Sequence, residues 1–188
     1  MISKQQATDL LHAHTKNQNL RRHMYAVGFA MRALASKLGG DPDTWETLGL
    51  LHDADWEETK DAPDEHTKHT LTWLRDLGET DGPIVHALMS HNRKRTKLAE
   101  LEGDMEWALE TVDELTGFIV AVALVRPEKS LAAVTAEAVM KKWNQKAFAA
   151  AVERGQIAQC EEKLRIPLAE FIALTLAAMQ AHHEEIGL

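Results

Sequence analysis

The chain contains a single cysteine, Cys160, in 188 residues. That excludes an internal disulfide framework and cysteine-rich zinc sites, and a cytoplasmic location is the simplest expectation. Tyrosine occurs once and phenylalanine four times, and runs of β-branched residues are nearly absent, so strands have little to form from. Alanine, leucine, glutamate and lysine dominate instead, which predicts an all-α protein. Basic residues are outnumbered 21 to 29, for a formal net charge of −8. This argues against a broad nucleic-acid surface, although a local basic cleft stays open. Met1 to Gln6 lack the apolar core of a signal peptide. The longest apolar run, Leu115 to Val125, is far shorter than the roughly 20 residues that span a bilayer. It reads as a core helix, and no membrane partner is expected.

What is present is helical periodicity from end to end. No repeat, low-complexity tract or linker divides the chain, so 1–188 is expected to form one helical bundle. Ser3 with Gln6 reads as a capping box opening a helix to about Lys16. Asn19 can cap a second helix ending at Gly39-Gly40, with Leu20, Met24, Val27, Met31, Leu34 and Leu38 as its buried stripe. Asp41-Pro42 starts a third, which ends on Leu50-Leu51-His52-Asp53. A fourth is expected from Pro63 to Leu77 and a fifth from Pro83 to His91. The basic run Arg93 to Lys97 then reads as a loop. The longest helix is expected from Gly103 to about Val125. Beyond Arg126, helices over about 135–143, 148–164 and from Pro167 onward are read as an extension, 126–188, packed on the same domain. His12, His14, His182 and His183 read as surface histidines.

Three places on this frame carry chemistry. His52 and Asp53 leave one point of the backbone at the edge of an apolar helix, a nitrogen and an oxygen donor suited to a divalent metal. His23 adjoins the buried stripe of the second helix, where it is either a boundary histidine or a ligand. Asp113 falls among apolar residues of the long helix, with Leu109, Thr116, Gly117 and Val120 on its side. An unpartnered buried carboxylate is costly, so either a cation sits beside it or that face is exposed. The stretch Ala54 to Asp64 reads as an acidic loop over the mouth of the site. In it Asp55, Glu57 and Glu58 are either solvated charges or include a proton shuttle.

His23, His52-Asp53 and Asp113 together give the order H…HD…D. Here the chain resembles the HD-domain superfamily of metal-dependent phosphohydrolases, over roughly residues 20 to 125. The resemblance implies an all-helical HD-domain core in which His23, His52, Asp53 and Asp113 hold one divalent metal. Many members add two histidines that hold a second ion, and His66 and His91 match those places, with Asp53 bridging. Glu114-Leu115-Thr116-Gly117 and Leu124-Val125-Arg126-Pro127 look like a subgroup of small bacterial HD proteins. Thr70 stands where many two-metal members have Gly, and Asn92 where others have His or Glu. Trp56 stands where members acting on nucleotide monophosphates or stringent-response alarmones place Glu, which argues against those substrates.

The implied activity is hydrolysis of a phosphomonoester or phosphodiester, perhaps a nucleotide, by water activated on one or two ions. The donor set favours Mn, Fe, Co, Ni or Zn over Mg. Asp53, with Asp55 or Glu57, is the expected catalytic group. Arg22, Arg93, Lys94 and Arg126 are candidates to bind a small anionic phosphate-containing substrate, with Lys129, Lys146 and Arg154 more remote. Two other readings compete: a di-iron oxygenase of the HD type, and a non-catalytic ligand-binding module that keeps a metal for stability. Oligomeric state is not encoded in any feature of the sequence.

Overall fold

The first three helices open on side-chain caps. The computed structural model describes residues 2–188, and among these residues there are only helices and turns, with no strand. α1 (Lys4–His14) opens on the Ser3–Gln6 capping box. α2 (Gln18–Leu38) is capped by Asn17, not Asn19, because the Asn17 side chain accepts from the Asn19 and Leu20 amides. Gly39 ends it in the left-handed region, φ 79°, where glycine carries no steric penalty. In α3 (Pro42–Leu51) the Asp41 carboxylate accepts from the Thr44 amide and Pro42 occupies the first turn.

α4 (Trp56–Thr59), α5 (Lys68–Asp76), α6 (Pro83–His91) and α7 (Arg93–Thr96) are short, and α6 packs against α3, α5, α7 and α8. α8 (Asp104–Leu124) matches α2 in length. A 3-10 turn at Leu131–Ala133 precedes α9 (Ala136–Trp143), α10 (Arg154–Lys163), α11 (Leu168–Ala181) and α12 (His183–Ile186).

α2 is the axis of the bundle, packed against α3, α8, α11 and α12. Its crossing with α3 is set by two glycines. A Cβ on Gly49 would lie 2.6 Å from the Gly28 Cα, closer than any side chain tolerates, so the two backbones are in direct contact. That approach brings the end of α3 beside the first turns of α2. Met24, Val27, Met31, Leu34, Leu48 and Leu51 fill the space around it, all fully buried. Leu115, Phe118, Ile119 and Val122 close the core from α8.

Three expectations change. The predicted helix from Pro63 begins only at Lys68, and 61–67 form turns, with Thr67 at φ 74°. The basic run after His91 is a short helix, α7, not a loop. The helix predicted from Phe148 begins at Arg154, because the Arg154 guanidinium donates to the carbonyls of Trp143, Gln145, Phe148 and Ala149 and winds the preceding segment around itself. It also lies 4.9 Å over the Phe118 ring, pinning that segment to α8. No single helix of the described residues is long and apolar enough to cross a membrane. The bent α10–α11 pair, which passes on composition, turns through 106° and contributes Ile157, Cys160, Phe171 and Ile172 to the core.

Candidate metal centre

Six side chains from separate parts of the chain meet at the end of α3. His23 comes from α2 and Asp113 from α8, two helices packed against each other. His52 and Asp53 follow directly on α3, and the His52 backbone stays helical. His66 is delivered by the turns before α5, and His91 is the last residue of α6.

The carboxylates hold the histidines together. Asp113 Oδ1 lies 2.9 Å from His23 Nε2 and 3.6 Å from His52 Nε2. Asp53 faces two ways: its Oδ2 is 3.8 Å from His52 Nε2, whereas its Oδ1 is 3.2 Å from His66 Nε2 and 3.5 Å from His91 Nε2. Two overlapping triads, His23–His52–Asp113 and His52–Asp53–His91, have ligand atoms within 4.8 Å of one another. His52 is fully buried, while His23 and Asp113 are about one-quarter and one-fifth exposed. Solvent therefore reaches the cluster from the His23–Asp113 side.

Partners behind the ring fix which nitrogen points inward. His52 Nδ1 donates to the Gly49 carbonyl at 2.8 Å, which leaves Nε2 buried, aimed at the cluster and without a hydrogen-bond partner. His66 Nδ1 donates to Asp55 Oδ1 at 2.8 Å, a carboxylate–histidine arrangement that orients an imidazole ligand and raises its basicity. The orphaned His52 nitrogen and the preset His66 ring, beside two carboxylates, fit a divalent metal bound by N and O donors.

The charges agree with that fit. Burial opposes ionisation of Asp53 and Asp113, yet the surrounding imidazoles hold both carboxyls well below the usual range. Burial disfavours the His52 cation, but Asp53 and Asp113 outweigh it and raise the imidazole to about 9. His66 is raised to about 9 likewise, by Asp53 and Asp55 against its burial. Two buried carboxylates thus demand positive charge, from protons or from a cation that displaces them.

Compared with known protein families, the chain matches the HD domain over residues 20–186. The chain belongs to the HD-domain family. Neither the curated proteins nor the solved structures compared with it contain a match. The HD domain defines a superfamily of metal-dependent phosphohydrolases, and the cluster is built of groups that could hold such a metal. The match continues through the C-terminal helices, of which α11 packs against α2, α8 and α9.

Within this HD domain, the segment after the His-Asp doublet differs from its sequence reading. Asp55 is fully buried, and beside His66 it accepts from the Thr67, His69 and Thr70 amides, each at 3.1 Å. Four donors occupy its two oxygens, which cap α5 and hold the His66 ring. Glu57 is half-buried and accepts from the Lys16 and Asn17 amides at 2.7 and 2.9 Å, anchoring the α1–α2 turn. Glu58 pairs with His14 and His69 at 3.0 and 3.2 Å. Trp56 packs edge-on against the His66 ring at 5.1 Å.

Of the four phosphate-binding candidates, Arg22 alone lines a cavity together with a cluster residue, His23. Arg93 forms a bidentate pair with buried Glu110, at 2.8 and 2.9 Å, so its charge is already matched. Lys94 is exposed and reaches Gln156. Arg126, beyond the end of α8, lies 3.6 Å from Glu128. The sequence reading missed Asn92, whose amide donates to the Pro63 and His66 carbonyls and ties the His66 turn to the end of α6. It also missed Gly49, which both permits the α2–α3 approach and accepts from His52. The Gly28/Gly49 pair was the available signal, since glycine inside a helix costs stability unless something needs the space.

Proposed function

We propose that the chain is a metal-dependent phosphohydrolase that cleaves a phosphomonoester or phosphodiester at the His/Asp cluster. One observation carries the reading. Asp53 turns one oxygen toward His52 and the other toward His66 and His91, so two ligand sets share a single carboxylate. His23, His52, Asp53 and Asp113 would hold one ion, and Asp53, His66 and His91 a second. When bound, such ions lower the pKa of water and polarise a phosphoryl oxygen. Mn, Fe, Co, Ni and Zn fit these donors better than Mg.

The chain's own residues supply the rest. Gly49 and Asp55 fix the His52 and His66 rings, so ligand geometry is set before substrate arrives. The partial exposure of His23 and Asp113 leaves an approach for a small anionic substrate, with Arg22 beside it. A cytoplasmic setting fits the lone cysteine, which is buried.

Elemental analysis of the purified chain, combined with a phosphoester panel including nucleotides and bis-(p-nitrophenyl) phosphate, tests the proposal. The expected result is close to two transition-metal equivalents and metal-dependent hydrolysis, read as phosphate from the monoesters and as p-nitrophenol from the diester, that His52→Ala abolishes. Two irons, a near-ultraviolet charge-transfer band and oxygen consumption without hydrolysis would establish the oxygenase reading instead. Turnover of nothing in the panel, with His52→Ala changing only heat stability, would establish the non-catalytic one.

A further inference from the structure

A cavity of about 380 Å³ opens beside the metal centre, at the lower end of the size range of small-molecule sites. His23 and Arg22 line it from α2, together with Asn19. Gly117, Val120 and Leu124 line it from α8, and Ile186, Gly187 and Leu188 form a third wall. The α8 stripe begins one turn after Asp113 and runs at helical spacing away from the cluster. Two walls therefore carry a cluster residue, His23 or Asp113, at or next to one end, and the floor leading away is apolar.

Two details make it a built site. Gly117 is exposed and a Cβ there would meet nothing within 4 Å, so a larger side chain at this position has room to occupy this part of the cavity. Arg22 lies against the Gly187 backbone, where a Cβ would sit 2.6 Å from its guanidinium, and Gly187 has φ 77°. A side chain at 187 would displace Arg22 from the rim. No carboxylate among the described residues pairs with Arg22, so its charge faces the cavity unmatched.

Resting on the phosphoester reading of the centre, we propose that this cavity is the leaving-group subsite and selects esters of compact apolar or aryl alcohols. The phosphate lies between the cluster and Arg22, and the organic group extends along Gly117, Val120 and Leu124 toward Ile186. Polyhydroxylated leaving groups are disfavoured, because their hydroxyls would lose water against this floor without recovering hydrogen bonds.

The test is calorimetric binding of two non-hydrolysable probes, phenylphosphonate and methylphosphonate, to the full chain loaded with Mn or Co. The expected result is phenylphosphonate binding at least tenfold tighter. Gly117→Leu, with unchanged metal content, is expected to cut that preference below threefold, and Arg22→Gln to weaken both probes. If Gly117→Leu does not fold, Leu124→Asn, at a half-exposed position on the rim, must reduce the preference instead. Equal affinity of the two probes, or a preference that survives filling the cavity, overturns the subsite and leaves the hydrolase reading standing. Binding of neither probe overturns both.

Discussion

Asp55 shows how a single residue can serve the site without touching a reacting atom. Its Oδ1 takes the His66 Nδ1 proton and the Thr67 amide, and its Oδ2 takes the His69 and Thr70 amides. Asp55→Asn retains one acceptor oxygen and replaces the other with a donor, leaving buried amides facing an NH2 group. The expected cost is roughly 1–3 kcal/mol in denaturant unfolding. Affinity for the ion held by His66 and His91 should fall roughly 10–100-fold, read as loss of about one metal equivalent after dialysis while the other is kept. Unchanged stoichiometry at equal stability would return Asp55 to a purely helix-capping role. The sequence placed this residue in an acidic surface loop because local composition reports only neighbours. The donors that meet it stand 11 to 15 residues further on, past α4 and a run of turns whose path no periodicity marks. His23 and Asp113 were visible for the opposite reason: each is polar at a position where its own helix is apolar.

At the scale of elements, the α2–α3 contact decides whether the cluster assembles. Gly49→Ala inserts a methyl where the Gly28 backbone already sits, and such overpacking costs roughly 1–3 kcal/mol. Thermal melting should show the loss, and metal content should fall with it, because separating the helices moves His52 from His23. Most helices, the Ser3 and Asp41 caps and the middle of the α2 core stripe, Met24 to Leu34, were legible in the sequence. The glycine crossing was not read, since Gly28 and Gly49 signal that space is needed inside two helices but not what lies in it. α4 offers a second test through Glu57, whose carboxyl is lowered by the Asn17 and Lys16 amides. A depressed carboxyl adds stability above its unfolded value, and that stability disappears as pH falls through the lower folded value. Native chain and Glu57→Gln should therefore differ in Tm near pH 6 and converge as pH drops toward 3. A constant difference would show that the charge on Glu57 does not matter to the α1–α2 anchor.

For the whole molecule, the six cluster residues span His23 to Asp113 and come from parts of the chain that no local contact joins. Its only cysteine is buried in α10, so no covalent bond ties these parts together. An ion at the centre would do so, as a removable cross-link between the first long helix, the short helices and α8. Contacts of such high sequence separation form late in folding, which places the ion's influence on the unfolding barrier and not on the search for the fold. In stopped-flow experiments, adding a chelator to the metal-loaded chain should therefore steepen the rise of the unfolding rate above its native value by an order of magnitude or more, and leave the refolding rate nearly unchanged. The lifetime of the folded state, more than the ability to reach it, would then be set by how much metal the surroundings provide.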